Sequence, residues 1–265
     1  MSDNRAWGAC DFSERGILIA GGTSGVGLAT AMAFASAGAR RLMLVGRDAK
    51  RGKDAVDRVT SAHPQSVPAF LSADLNVPGA AEEVIAAAIP HLGRLDVLVN
   101  STVAPYQPTL LHDIPPGELL SVLVQQAAGP MLMSRAAVPV MRAQHGGAII
   151  NIASDAVKVP TPGETVIGAA MAAIVTFSRT LALEAKRYGV TVNALTPSLI
   201  ANTGSYDRAM DREFSKKVFD RIISQAHLGV TEPEDLAAVI LFLASPSAAK
   251  ITGQVISVNG GISVA

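Results

Sequence analysis

The run LIAGGTSGVGLATA (18–31) sets three glycines between an apolar stretch and a helical pattern. That placement suits the binding of a phosphate-bearing ligand. Gly21 permits a tight turn, Gly25 lets the backbone approach a pyrophosphate, and Gly27 lets a helix pack close to a strand. Thr23, Ser24 and Val26 complete the turn, and a helix starting there would offer unpaired N–H groups to an anion. A tight turn without ligand is the plainer use of the same residues. About twenty residues on, an NAD-preferring site would place Asp or Glu against the ribose hydroxyls. Gly46 and Arg47 stand there instead. A glycine leaves room and a guanidinium can fork onto a 2′-phosphate, which favours NADP(H) over NAD; an ordinary surface arginine is an equal alternative. Asp74, with Leu75 after it, ends a further apolar stretch. Its carboxylate could accept from an adenine amine or cap the next helix.

The elements that must position these residues are short apolar runs at 16–22, 41–46, 67–74, 95–100, 147–154, 190–197 and 253–260. Helix-length stretches such as 25–39 and 234–245 separate them. Strands alternating with helices imply right-handed crossovers and a parallel sheet covered on both faces. We expect one Rossmann-type, doubly wound α/β domain over 1–265 with a seven-stranded parallel sheet. The stretch 198–229 breaks the alternation just after a strand end, where open α/β sheets bind ligands. It reads as a lid or substrate-loop insertion.

Composition narrows the function classes. Lys+Arg and Asp+Glu are both 22, so the chain has no electrostatic footprint for nucleic acid or an anionic membrane. Aromatics are 4%, too few for base-stacking platforms. One cysteine, Cys10, excludes an internal disulfide framework and suits a reducing cytoplasm. No unbroken apolar run approaches a membrane span, and MSDNRAWGACDFSERG (1–16) reads as a polar lead-in rather than a signal peptide. His63, His91, His112, His145 and His227 are scattered without ligand spacing, so no metal is expected.

Over almost its full length the chain resembles the short-chain dehydrogenase/reductase family. GGTSGVG matches the glycine motif, SADL the end of the third strand, LDVLVN the fourth strand and GGAIINIAS the fifth. FSRTLALEAKRYGVTVNALTP and ITGQVISVNGG match the sixth and seventh strands with their helices. Within the family, NIASDAVKVPTPGE and ITGQVISVNGG look most like dehydrogenases that oxidise hydroxyacyl-CoA thioesters in ring-degradation pathways. The resemblance implies hydride transfer to or from a nicotinamide, with a tyrosine as acid/base. It also implies a lysine one helical turn on, a serine that polarises the substrate oxygen, and an asparagine that completes a proton relay.

Carried over residue by residue, that machinery is mostly missing. Ser154 matches the serine. The tyrosine position, counted thirteen residues from Ser154 and ten before Phe177, is Ile167. The lysine position is Met171, and the relay asparagine, three before Gly129, is Gln126. After the fourth strand the family's NNAG reads Asn100-Ser101-Thr102-Val103, so Asn100 stays and Val103 adds bulk beside the cofactor path. Tyr106, Tyr188 and Tyr206 are the chain's tyrosines, and none has lysine four residues on. Isoleucine and methionine exchange no protons, and losing a positioned acid–base group costs roughly 10²–10⁴-fold in rate. Ile167 and Met171 make a dry helical face instead.

Three functions follow as expectations. The first is a non-catalytic subunit paired with an intact sister chain through the two long central helices (about 117–142, and the helix carrying GAAMAAI at 168–174). The resemblance includes two-subunit hydroxyacyl-CoA dehydrogenases with one degenerate chain, such as that of anaerobic toluene (benzylsuccinate) degradation. The second is an atypical active NADP(H)-dependent oxidoreductase with Tyr106 or Tyr206 as acid and Lys158 as charge. The third is a sensor that reads NADP(H) without reacting. Lys216 and Lys217 could meet a CoA phosphate, although solvated lid charge is their plainer reading.

Overall fold

The computed structural model describes residues 10–264; most of the polar lead-in, 1–9, lies outside the described residues. The seven apolar runs form β1 (Gly16–Ala20), β2 (Arg41–Gly46), β3 (Val67–Ser72), β4 (Val97–Asn100), β5 (Gly147–Ile152), β6 (Val190–Pro197) and β7 (Val255–Val258). They pair in parallel in the order β3-β2-β1-β4-β5-β6-β7. Helices α1 (Gly25–Ser36), α2 (Ala49–Ala62), α3 (Ala80–Leu92), α4 (Pro116–Ala143), α5 (Thr165–Ala185) and α8 (Pro233–Ala244) connect them. Within 198–229 lie α6 (Gly204–Asp211) and α7 (Glu213–Ile223).

Alternation along each strand divides the core. Ile17, Ile19, Leu42, Leu44, Val97 and Val99 bury against Phe34 of α1, Val59 of α2 and Leu236 and Ile240 of α8. Leu18, Met43, Leu98, Ile149 and Val192 bury on the other face, against α3, α4 and α5. Strands buried on both faces need unbroken apolar sequence, and all five residues of β1 are buried. Helix starts are locally encoded. Asp48 accepts from the Arg51 N–H at the head of α2, and Glu232 and Asp235 form a capping box around Pro233 at the head of α8. Away from the ligand edge, buried Asp96 ties β1 down by accepting from the Gly16 N–H at 2.9 Å and from the Arg94 Nε at 2.7 Å.

The helix over Thr165–Tyr188 is long enough to cross a membrane and contains an 18-residue window of mean hydropathy 1.8, although no unbroken apolar run announces it. Valines, isoleucines, leucines and alanines raise the average, while Thr176, Ser178 and Arg179 break the run. Its inward side is core, with Val166, Ala170, Met171, Ile174, Leu181 and Ala185 buried. A central helix with one side buried and a partly apolar outer side has this composition.

Candidate active site

The strand order reverses between β1 and β4, so a crevice opens beyond their carboxyl ends. β1 delivers the glycine turn to it and β4 delivers Asn100, opposite Ala20 in register. The turn is held by the Gly21 N–H donating to the Val45 carbonyl at 2.8 Å. Gly27 packs directly on the Gly21 carbonyl, where any side chain would collide. Helix α1 starts there with no side chain capping it and no acid in its first turn, so its N-terminal N–H groups keep the chemistry of an anion site.

Around this turn the expected contacts sort themselves. Arg47 is exposed beyond the end of β2. Asp74 is also exposed and accepts from the Asn76 N–H at 3.1 Å, forming a local turn; α3 begins later, with Gly79 before its first residue, so Asp74 does not cap it. Leu75 is buried under the crevice and Val103 projects into solvent at 55% exposure. The Asn100 amide turns inward. Its Nδ2 donates to Asn151 Oδ1 at 2.8 Å and Ser134 Oγ at 3.2 Å, and Asn151 passes the chain on to Ser178 at 2.8 Å. Asn100 therefore stitches β4 and β5 to α4 and α5, while its Oδ1 is buried without a partner among the described residues.

The chemical end of the crevice is built from the exit of β5 and the start of α5. Ser154 follows β5 and accepts from the Ala156 N–H at 3.2 Å, capping a short 3₁₀ turn over Asp155–Val157. That turn rides on α5, where a side chain on Gly168 would meet the Ala156 carbonyl at 3.1 Å. Beneath it Ile167 and Val157 pack on a buried cluster of Ala127, Ala153, Ala170, Met171, Ile174 and Val175. Met171 is only 6% exposed. Gln126 is buried and grips Ala104 from both sides, its Nε2 donating to the carbonyl at 3.0 Å and its Oε1 accepting from the N–H at 3.4 Å. Its amide staples the β4–α4 loop, leaving it no part in a relay.

The surrogate acids are committed elsewhere. The Tyr106 hydroxyl donates to the Gly163 carbonyl at 2.7 Å, and burial, reinforced by the charge of Glu164, raises its pKa above the usual 10. Tyr206 packs with Leu199, Ala209 and Phe219 in a small core of its own between α6 and α7. Lys158 donates to Ser257 Oγ at 2.8 Å and the Val255 carbonyl at 3.3 Å on β7, and burial lowers its pKa. On α7, Lys217 pairs with Glu213 at 2.7 Å, one turn away.

Two features escaped sequence reasoning. Gly163 sits at φ +88°, and a side chain there would meet Phe214 at 3.1 Å and Pro108 at 3.3 Å. Its carbonyl also accepts from the Thr109 N–H at 2.9 Å. Gly163 thus docks both the β4–α4 loop and α7 on the start of α5. The other is Glu164, whose carboxyl is pushed from its ordinary 4.5 up to about 7, chiefly by burial, with the negative Asp155 adding to it and a Thr161 hydrogen bond opposing. The PGE sequence signals a turn and a helix start, but not the loop that covers them.

A carboxyl with a raised pKa stabilises the fold while protonated. That stability is complete below about pH 4.5, falls as pH climbs and is gone above about pH 7. Glu164→Gln, which removes the charge and keeps the shape, is expected to raise stability at pH 8 by about 1–3 kcal/mol and to change little at pH 4.5. Urea unfolding midpoints at the two pH values measure this, and equal shifts at both would show that the carboxyl is solvated.

A nicotinamide dinucleotide finds only half a site. The glycine turn and the head of α1 offer donors for a pyrophosphate. The position that the resemblance gives the ribose-holding lysine is Met171, a buried thioether, and a thioether does not fit that role.

Comparison with known proteins agrees with this architecture. Residues 20–263 match a family described as enoyl-(acyl carrier protein) reductase. An uncharacterised oxidoreductase of Thermotoga maritima is 31% identical over 95% of this chain and 98% of its own length. A 3-oxoacyl-[acyl-carrier-protein] reductase of Synechocystis sp. is 33% identical over 92% of this chain and 95% of its own length. The crystal structure of levodione reductase superposes with TM-score 0.89 at 27% identity, covering 94% of this chain and 98% of that one.

Proposed function

The chain belongs to the short-chain dehydrogenase/reductase family of oxidoreductases, and from that premise we propose that it is a subunit which has given up catalysis. It pairs with a sister chain carrying the tyrosine and lysine, in a hetero-oligomer that oxidises a hydroxyacyl-CoA-type alcohol to a ketone. It forms a single domain in which 198–229 serves as the lid. The observation that carries this reading is the pair Ile167 and Met171. They sit one turn apart on the face that should move the proton, and both belong to an apolar cluster. The engaged hydroxyl of Tyr106 and the engaged amine of Lys158 speak against a surrogate.

The surface supports a partner. GAAMAAI is split by the helix: Ala170, Met171 and Ile174 are core, whereas Ala169 and Ala173 face out. Leu183, further along α5, is 62% exposed, and Leu120 and Val124 at the head of α4 are 70% and 52% exposed. Small residues flanked by exposed apolar ones permit close helix packing. The acyl substrate class follows the resemblance and the relatives named as 3-oxoacyl reductases. Gly46 and Arg47 favour NADP(H) wherever this chain takes a nucleotide at all.

Native mass spectrometry of the protein purified gently from its own cells tests the proposal. We expect this chain bound to a second chain of similar mass whose peptides contain Tyr-x-x-x-Lys. A homo-oligomer alone would sink it.

A further inference from the structure

We propose that this chain closes its own nucleotide site: the start of α6 stands where a pyrophosphate would lie, so the folded chain takes up no NAD(P). In a glycine motif of this kind the middle glycine lets a pyrophosphate approach the backbone, so the direction of its absent side chain marks the phosphate's place. At Gly25 that direction leads to Thr203. A Cβ there would touch the Thr203 Cγ2 at 3.4 Å and its Cβ at 4.0 Å. The gap is one methyl wide, and a phosphorus with its oxygens is wider.

Thr203 is held rather than merely resting there. Its hydroxyl donates to the Ile200 carbonyl at 2.7 Å and accepts from the Tyr206 N–H at 3.2 Å. Both polar functions are used, and the methyl is what meets Gly25. Before it, Asn202 has φ +59° and Ala201 donates to the Thr231 carbonyl at 2.8 Å, beside the Ile200–Thr231 bridge. Around it, Leu199 from before the turn and Ala209 and Phe219 from after it form a core that fixes α6 on α7. The segment is therefore pinned to the residues before α8 on one side and to its own cluster on the other. At the far end of the cofactor path Met171 has replaced the ammonium that would reward opening. The closure concerns nucleotide alone and stands whether or not a sister chain exists.

The test adds NADH or NADPH to the purified protein and reads nucleotide-bound mass and calorimetric heat, assigning bound nucleotide to each chain. This chain is expected to show none up to about 1 mM, a free energy weaker than about −4 kcal/mol. Thr203→Gly empties the place above Gly25, and glycine remains an acceptable residue at a helix start. That variant is expected to bind at least tenfold more tightly, NADPH ahead of NADH. Thr203→Ser removes only the methyl, keeps the cap, and serves if the glycine variant misfolds. Micromolar binding by the unaltered chain overturns the proposal, and so does a folded Thr203 variant that binds no better.

Discussion

Met171→Lys is expected to cost about 3–5 kcal/mol of stability at pH 7, although it introduces the residue that the resemblance implies at this position. The side chain is 6% exposed and ringed by Ala170, Ile174, Val175 and Ala127. A lysine placed there must shed its proton or drag water in, and deprotonation from an unperturbed pKa near 10.4 costs about 1.4 kcal/mol for each unit of depression. Because the folded pKa is depressed, stability should return as pH rises towards 10, whereas Met171→Leu should lose less than about 1.5 kcal/mol and show no such recovery. Urea unfolding of both variants at pH 7 and pH 10 decides the matter. A lysine variant as stable as the parent at pH 7 would mean that the position still opens onto an anion or solvent. The reading of Met171 as core would then fail.

That test bears on how the site could be read at all. The sheet was legible because each strand carries its own pattern, and Arg41–Gly46 and Val190–Pro197 end where their apolar runs end. The first strand's apolar run, 16–22, overshoots β1 by two residues because Gly21 and Gly22 leave the ladder to bond to Val45 from within the turn. That no tyrosine has a lysine four residues on was also legible, since it is a matter of residue type at a fixed spacing. What the neighbouring side chains hold instead was not. Gln126 and Ala104, Tyr106 and Gly163, and Thr203 and Gly25 are tertiary pairs, distant in sequence and without any local signal in either member. Asp155 shows the same limit. It follows Ser154, and nothing in the sequence shows that it is buried and accepts from Ser263 Oγ at 2.8 Å and Asn259 Nδ2 at 3.1 Å, fastening the segment after β7.

The largest effect of all is expected in the rate of the assembled enzyme, and in an asymmetric way. If catalysis belongs to the sister chain, replacing that chain's tyrosine with phenylalanine should lower kcat roughly 10²–10⁴-fold, the usual worth of a positioned acid–base group. Ser154→Ala in this chain should leave kcat within about twofold, because the Ser154 hydroxyl serves here to cap the 3₁₀ turn by accepting from the Ala156 N–H. The double variant Ile167→Tyr with Met171→Lys should add no turnover of its own. The new pair would enter an apolar cluster, without the relay amide that Gln126 spends on Ala104 and beside a glycine turn that α6 covers. Pre-steady-state formation of reduced nucleotide, counted per chain, separates the cases: one equivalent per sister chain is expected, and none for this one. A drop of 100-fold on Ser154→Ala would instead place a working site here. The search for its acid would then begin with Glu164, whose carboxyl titrates near 7 at the start of the same helix.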